Sequence, residues 1–213
     1  MLFGLYLHAK MLLAVCASEQ GVMRSGTLEE NQHGNNMEID NLAKLISEAA
    51  RLSFTETRER LGDDQIIGYC ILSHDTADSC FPIIGTKGAL DNYEYGPDEE
   101  FIFSPDEWDE FDNGPAFDMV NSEMAKLYNA GDYEVDENWH VKFRELVFEA
   151  NVRGLEILIK DGFFGSEEDR NSIFIIFCLS DSETFETHVP KWVRRLNTEE
   201  VSRKFEFWHN ENP

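Results

Sequence analysis

The sequence predicts an α+β fold in which helices pack on a small mixed or antiparallel β-sheet, in a single domain. Two segments of strand length, 65–73 and 173–179, are almost continuously apolar, which is typical of strands that are covered on both faces. Longer segments repeat apolar residues at helical spacing, most clearly 138–160. The predicted elements run α-β-β-β-α-α-β-α-α, an order that is typical of an α+β domain.

A length of 213 residues suits one domain, but the first 36 residues differ from the rest. Their apolar run, 1–15, is interrupted by His8 and Lys10 and follows no basic segment, so it resembles a signal peptide only weakly. A polar stretch with three glycines comes next. We interpret residues 1–36 as a disordered leader or a mis-called start, and we expect the α+β domain to cover 37–213.

The first helix of the domain is predicted by apolar residues that recur at helical spacing from Ile39 to Leu61. Asp40 or Asn41 can cap its start, and Gly62 can end it. We therefore expect the helix to begin just after the leader.

A β-hairpin is predicted after this helix. Its strands are 65–73 and 80–85, and the polar segment 74–79 supplies a rather long turn. Pro82 has no backbone N–H to donate, so its place in the second strand indicates a sheet edge or an irregularity.

Three short elements are predicted after the hairpin. Residues 88–90 form one helical turn, and residues 101–103 form a short strand. Ser104, Pro105 and Glu107 combine an N-cap, a proline at the first helical position and a capping box. This combination predicts the start of a helix.

Two longer helices are predicted at 116–128 and 138–160. Gly162 supplies the glycine that ends the second of them. Gly154 lowers the helix propensity in its interior and can allow a neighbouring element to approach closely.

One strand and two helices complete the predicted fold. The segment 173–179 is apolar at both parities, so we expect it at the centre of the sheet. Residues 180–183 can cap a helix that runs to Leu196, and Pro190 predicts a kink or a break into two pieces. The final helix is predicted to begin near residue 197.

A block of acidic side chains occupies the middle of the chain. Sixteen Asp or Glu residues and one base, Lys126, lie between residues 91 and 137, so the block supplies more than half of the net charge of −24. Carboxylates at this density repel one another unless they are solvated or meet a cation. A pI near 4.4 argues against binding to nucleic acid or to an anionic membrane, because phosphates require Lys and Arg.

We therefore expect a surface within this block that binds a basic protein. Acidic side chains would steer and select the partner, and aromatic side chains would supply more of the affinity. The candidate residues are Tyr93, Tyr95, Asp98, Glu99, Glu100, Asp106, Trp108, Asp109, Glu110 and Asp112. The alternatives are a solvated acidic surface without a partner and a calcium-binding surface, although the block lacks the DxDxDG rhythm of an EF-hand.

No catalytic signature is found: the chain contains no GxSxG, HExxH, P-loop or GxGxxG pattern, and we assign no catalytic residue and no cofactor. His74, Asp75, Asp78 and Cys80 form the only tight mixed cluster, which is a polar turn or, as the alternative, a metal site. A carboxylate- or metal-dependent hydrolase, helped by His74 or His140, is the alternative to a binding protein. The four cysteines show no CxxC spacing, and ordinary cytosolic thiol usage favours a cytoplasmic protein.

Two further segments have two interpretations each. Asp161–Gly165, with two glycines and two aromatics, is a ligand clamp or, as we favour, a helix C-cap followed by aromatic anchors. Ser180–Ser182 lies at the strand end where α/β ligand sites form, or it caps the next helix. A basic cluster either meets the acidic block or forms a solvated helix face. Its members are Lys191, Arg194, Arg195, Arg203 and Lys204.

Several of these motifs together resemble a known family. They are the leading amphipathic helix, the strand 66–73, the Phe103–Trp108 turn, the Asp161–Gly165 segment, the strand 173–181 and the Arg194–Asn197 segment. The combination resembles the bacterial domain-of-unknown-function family DUF4303 over about residues 37–208. The resemblance implies no activity and no catalytic residues. By analogy, small acidic domains of this kind resemble immunity proteins, which neutralise toxins.

Overall fold

Seven α-helices and four β-strands are present in the part of the chain that the structure, a computed structural model, describes. The described residues are 28–94, 98–108, 110–111, 115–131, 136, 138–180 and 184–212, with the backbone alone described for 28–35, 110–111 and 184–187. In chain order the elements are α1 (Leu28–Leu61), β1 (Ile66–His74), β2 (Cys80–Thr86), α2 (Lys87–Asp91), α3 (Asp98–Phe103), β3 (Glu110–Phe111), α4 (Asp118–Ala130), α5 (Trp139–Lys160), β4 (Phe174–Ser180), α6 (Thr184–Leu196) and α7 (Glu199–Glu211). Short 3₁₀ turns lie at Pro105–Glu107, Pro115–Phe117 and Asp169–Ser172.

The four strands form one mixed sheet in the order β3-β2-β1-β4. β1 and β2 form the predicted antiparallel hairpin, in which Tyr69 lies opposite Ile84. β1 also pairs in parallel with β4, where Tyr69 lies opposite Ile175. β3 contributes two residues only. The prediction of a single α+β domain with a small mixed sheet is confirmed.

β4 lies at one edge of the sheet, so the prediction that it is central is wrong. Its residues from Phe174 to Leu179 are buried, and α6 packs on it. On the open edge, Asn197 Oδ1 accepts a hydrogen bond from the Ile175 N–H (2.9 Å), and Asn197 Nδ2 donates to the Ile175 carbonyl oxygen (2.6 Å). A continuous apolar run indicates that both faces are covered, but it does not indicate how many strands are hydrogen-bonded to it.

The opposite edge of the sheet is closed in the same way. β3 pairs with β2 only at Ile83 and Ile84. Asn121 of α4 accepts a hydrogen bond from the Cys80 N–H (2.9 Å) and donates to the Cys80 carbonyl oxygen (3.1 Å). Backbone groups alternate in direction along a strand, so the nitrogen of Pro82 faces this outer edge, where no ladder bond is lost. At Pro82, β2 is therefore an edge strand, as predicted.

The indole of Trp108 fills a space that two glycines leave on the sheet. Gly68 and Gly85 lie opposite each other on β1 and β2. A Cβ atom would lie 2.3 Å from the indole if added to Gly68, and 2.9 Å if added to Gly85. Trp108 is 1% exposed, and its Nε1 donates a hydrogen bond to the carbonyl oxygen of Phe101 (2.8 Å). Both glycines are required here because a larger residue would displace the ring.

The segment before Trp108 is helical, so the predictions of a strand at 101–103 and of a capping box at Ser104 are wrong. α3 begins with three acidic residues, which suit a helix N-terminus. Phe101 and Phe103 are both buried, against different neighbours. Ser104 makes no capping hydrogen bond, and a single 3₁₀ turn leads to Trp108 in an extended conformation. The chain therefore becomes extended at Trp108, where the indole packs on the sheet.

Helix α5 packs closely against α1 at Gly154, as predicted. A Cβ atom on Gly154 would lie 2.6 Å from Ile46 Cγ2. α5 ends as predicted at Gly162, whose φ of +71° is a conformation that favours glycine. The N–H of Phe163 donates to the carbonyl oxygen of Leu158 (3.0 Å), which is the long hydrogen bond of a Schellman motif.

Helix α1 begins at Leu28, so the expected caps Asp40 and Asn41 lie inside it. Gly62, with a φ of +64°, ends the helix as predicted. Over the ranges that the structure describes, residues 35–212 form one compact unit with a hydrophobic core. The interpretation of the N-terminal region as a leader stays a prediction, since residues 1–27 lie outside the described residues.

The two C-terminal helices follow β4. α6 continues through Pro190 as one helix, and its predicted cap at 181–183 lies outside the described residues. α7 begins after Thr198, whose Oγ1 accepts a hydrogen bond from the Val201 N–H (3.3 Å). None of the helices in the described ranges combines the length and apolar character that a membrane crossing requires.

Candidate functional site

Six carboxylates between residues 94 and 107 form no salt bridge within the part of the chain that the structure describes. They are Glu94, Asp98, Glu99, Glu100, Asp106 and Glu107, and we call them the acidic segment. All are exposed except Glu100, which is half-buried. No described cation lies within salt-bridge distance of them, so their mutual repulsion is at most partly relieved, by Arg203 and Lys204 across a groove that Glu99 also lines.

Tyr93 lies beside the acidic segment. Its half-buried ring packs on Phe101, with a centroid distance of 5.1 Å. Burial raises the pKa of the Tyr93 hydroxyl, and the negative charges of Glu107 and Glu100 raise it further. A carboxylate affects a pKa in this way only at short range, so Tyr93, Glu100 and Glu107 share one region of the surface.

Helix α3, which carries three of the six carboxylates, is held in place by its aromatic side chains. Phe103 makes edge-on contacts with Phe174 of β4 and Phe205 of α7, at centroid distances of 5.0 Å and 5.7 Å. Contacts of this geometry add to the stabilisation from burial. The first turn of α3 is therefore positioned by the core rather than by a loop.

A groove of about 590 Å³ separates the acidic segment from α7. Glu99 lines it together with Lys204 and Trp208. The ammonium group of Lys204 is bound by Glu200 at 2.8 Å, so it leaves Glu99 without an ion pair. Phe207, which is 73% exposed, adds an apolar wall.

Three other carboxylates of the acidic block are paired within the fold. The pairs are Asp91 with Lys87, Glu123 with Lys126 and Asp136 with Lys142. The hydrogen bond from Lys142 lowers the pKa of Asp136, and a backbone hydrogen bond from Asn138 lowers it further. These three carboxylates are less available to a partner than the acidic segment is.

Trp108 is buried, and this corrects the prediction that it is an aromatic anchor for a partner. Its ring lies on the sheet, because Gly68 and Gly85 leave space for it and Phe101 accepts its N–H. Glu110 lies in β3, and its side chain is outside the described residues. Three other predicted binding residues, Tyr95, Asp109 and Asp112, lie entirely outside the described residues.

The basic residue Arg195 joins two helices and does not reach the acidic segment. Its guanidinium binds Glu149 at 2.7 Å and Glu156 at 2.9 Å, both on α5. Burial alone would raise the pKa of Glu149, but hydrogen bonds from Arg195 and Arg153 hold it below its usual range. This part of the predicted basic cluster therefore serves the packing of α6 on α5.

The turn between β1 and β2 separates the members of the predicted mixed cluster. His74 Nδ1 lies 3.1 Å from Ser180 Oγ, at the carboxyl end of β4. Cys80 points into the core, with its Sγ 3.8 Å from Met124 Sδ, and burial raises the pKa of its thiol to about 12. A neutral thiol is a poor metal ligand. In the described ranges, no three side chains of the metal-binding types come together.

A cavity of about 520 Å³ opens beside this turn, and we call it the turn cavity. It lies just past the carboxyl end of β1, between the turn and helices α4 and α5. Among its lining residues are Asp75, Asp78, Tyr128, His140, Phe143 and Arg144.

Part of this lining was predicted from the sequence. Asp75, Asp78 and His140 were among the candidate residues, whereas Tyr128 and Arg144 were not. One signal was available, because His140 and Arg144 are four residues apart on one helix and so share a face. The turn that contains Asp75 and Asp78 lies more than sixty residues earlier in the chain. Its contact with His140 and Arg144 depends on tertiary packing, which spacing in the sequence does not show.

The Asp161–Gly165 segment has the favoured arrangement, a helix C-cap followed by aromatic anchors. Phe164 is buried and packs edge-on against Phe54, with a centroid distance of 5.4 Å. Phe163 carries the guanidinium of Arg51 4.7 Å from the centre of its ring. Both rings therefore pack within the fold, and they also line an open cavity of about 550 Å³.

Comparison with known proteins adds one finding to this geometry. The model of the family described as Domain of unknown function (DUF4303) matches residues 46–198. No curated protein and no solved structure gives a significant match. The matched residues include β1, β2, β4, the acidic segment and the turn cavity. Because the match covers well over half of the sequence, the chain belongs to the DUF4303 family, as its motifs predicted.

Proposed function

We propose that this protein is a binding module of immunity type that docks a cationic protein, such as a basic toxin, on its acidic segment and thereby neutralises it. The observation that carries the proposal is the group of six carboxylates, five of them exposed, that form no salt bridge with the described cations of the fold. A partner rich in Lys and Arg would relieve the repulsion among them.

The surroundings of the acidic segment support a protein partner. Tyr93, whose half-buried ring packs on Phe101, offers an amphipathic ring of the kind that anchors interfaces. The adjacent groove adds apolar surface at Trp208 and Phe207. Carboxylates at a rim accelerate association and select partners, while aromatic contacts contribute more of the affinity.

The proposal is tested with the full chain as bait in a pull-down at low ionic strength, followed by affinity measurements on the captured protein. We expect a protein with an excess of Lys and Arg, and an association rate that falls as salt is added. Capture of no basic protein would count against the proposal.

A charge-reversal pair locates the surface. One variant carries Glu99→Lys, Asp106→Lys and Glu107→Lys, and the matched control carries Glu56→Lys, Glu59→Lys and Glu167→Lys, at exposed positions outside the acidic segment. Both variants change the net charge equally. The first should lose the partner and the second should keep most of the affinity. Equal losses would show that only the overall charge matters, and would overturn the assignment of the surface.

A further inference from the structure

One side of the turn cavity is formed by the turn that contains Asp75 and Asp78, and the backbone of this turn is held in a strained conformation. Ala77 has a φ of +58°, and among the residues that the structure describes it is the only non-glycine with a positive φ. Its N–H donates to the carbonyl oxygen of His74 (2.8 Å), and Ser73 Oγ donates to the carbonyl oxygen of Ser79 (2.9 Å). Such strain costs about 1–3 kcal/mol, and it persists where the surroundings fix the backbone, most often at functional sites.

Asp75 supplies the second observation. Its Oδ1 is screened from solvent and accepts no hydrogen bond from any described group. Arg144 Nη2 lies 3.8 Å from this oxygen, which is within the distance of a salt bridge but too far for a hydrogen bond. The guanidinium of Arg144 therefore does not hydrogen-bond this carboxylate, whose side chain is 46% exposed, and an N–H donor from a ligand would supply the missing hydrogen bond.

The floor and side wall of the turn cavity are apolar and aromatic. Met124 and Phe143 are buried beneath it. The rings of Tyr128 and Phe143 meet edge-on, with centroids 5.2 Å apart. Aromatic rings beside carboxylates are the surroundings in which organic cations bind well, because ring faces attract positive charge.

The charges of the lining also favour a cation. Asp75 and Asp78 bring two negative charges, and Arg144 brings one positive charge. The protein as a whole carries −24, so its field raises the local concentration of cations and lowers that of anions. A volume of about 520 Å³ lies in the range of small-molecule sites.

We propose that the turn cavity binds a small organic cation, namely a primary amine with an alkyl or aryl body. Its ammonium group binds the carboxylate of Asp75, whose side chain is 46% exposed, and lies near the exposed Asp78. Its apolar body rests on the half-buried ring of Tyr128 and on Ala125. This binding site is separate from the acidic segment, so it stands or falls independently of the proposed docking of a cationic protein.

The test is titration calorimetry and thermal shift on the full chain with five compounds. Three share a phenyl-alkyl skeleton and differ in charge: 2-phenylethylamine (a cation), 3-phenylpropionate (an anion) and phenylalanine (a zwitterion). Propylamine and spermidine are added as amines without a ring. We expect at least one amine to bind, and to bind at least tenfold more tightly than the anion. Absence of binding by all the amines overturns the proposal, and so does preferential binding of the anion, which would assign the site to Arg144 and His140.

Two variants locate the binding, and one controls for charge. Asp75→Asn removes the negative charge of the acceptor, and Ala125→Met fills the cavity from an exposed helical position without changing charge. Asp106→Asn removes one negative charge from the acidic segment instead. Amine binding should weaken at least tenfold in the first two variants and change less than twofold in the third. Equal weakening in Asp75→Asn and Asp106→Asn would show non-specific attraction and overturn the site.

Discussion

The side-chain amide of Asn197 makes both hydrogen bonds to Ile175 that a neighbouring strand would make. A third bond, from Asn197 Nδ2 to the carbonyl oxygen of Val193 (3.1 Å), fixes the amide to the end of α6. The edge of β4 is therefore completed by the residue that joins α6 to α7.

Replacement of this amide should destabilise the fold strongly. Asn197→Ala leaves the N–H and the carbonyl oxygen of Ile175 without partners in a part-buried place, which we expect to lower the free energy of unfolding by about 2–3 kcal/mol. The midpoint of urea denaturation measures the change. Asn212→Ala is the control, because that amide donates only to the exposed last turn of α7, and its effect should stay within about 0.5 kcal/mol. Similar midpoints for the two variants would contradict this account of the edge.

The contact between Trp108 and the paired glycines gives a second prediction. Gly68→Ala and Gly85→Ala should each lower the free energy of unfolding by about 1–3 kcal/mol, because the added methyl group overlaps the indole. Gly68→Ala should be the worse of the two, since its Cβ would approach to 2.3 Å rather than 2.9 Å. A double-mutant cycle with Trp108→Leu provides the control. If overlap with the ring is the cause, most of the alanine penalty disappears in the Trp108→Leu background.

Stability should decrease at alkaline pH because of Cys80. Burial raises the pKa of this thiol from 9.0 to about 12 in the folded state, so the folded protein keeps a proton that the unfolded chain loses. The stabilisation is complete below pH 9 and is lost as the pH rises towards 12. Denaturant midpoints between pH 8 and pH 11 measure the change. Cys80→Ala should be less sensitive to pH over this range, and an unchanged slope in that variant would exclude Cys80 as a cause.

The same buried thiols should be unreactive in the folded state. Cys70, Cys80 and Cys178 are all buried and form no disulfide, and thiolates rather than thiols react with disulfide reagents. In a Cys16→Ser variant, labelling at pH 8 should therefore be negligible without denaturant and should reach three thiols in urea. Rapid labelling without denaturant would show that the core of the sheet opens readily.

Acid sensitivity should depend on the bridge between Arg195 and Glu149. The pKa of Glu149 is lowered in the folded state, so its contribution is present above the ordinary value of 4.5 and is lost as the pH falls through the folded value. Arg195→Met should lower stability at pH 7 and make it less dependent on pH between 5 and 3. Lys204→Met removes an exposed pair with Glu200 and should cost less than about 1 kcal/mol. Parallel acid profiles for the wild type and Arg195→Met would contradict the assignment.

Local patterns in the sequence predicted much of the fold. Glycine at position 162 predicted the end of α5, and the polar turn between two apolar runs predicted the hairpin of β1 and β2. Such signals succeed because the residues that form the structure are neighbours in the chain. The edge position of β4 could not be predicted in the same way, since the amide of Asn197 lies twenty-two residues from Ile175.

Trp108, which was predicted to bind a partner, shows the same limit. An aromatic residue within an acidic stretch fits a surface anchor, yet its burial depends on Gly68 and Gly85, which are distant in the sequence. Likewise, only part of the turn cavity could be predicted from the sequence. Asp75 belongs to the turn itself, whereas Arg144 lies on a helix that packs beside the turn.

The two asparagines at the sheet edges limit how this protein can associate with others. Asn121 and Asn197 occupy the backbone groups of Cys80 and Ile175 that an incoming peptide would need. Recognition by strand addition is therefore blocked at these positions, and so is fibril-like stacking of one molecule on another. At Cys80 and Ile175, a partner has to approach through side chains rather than through the main chain.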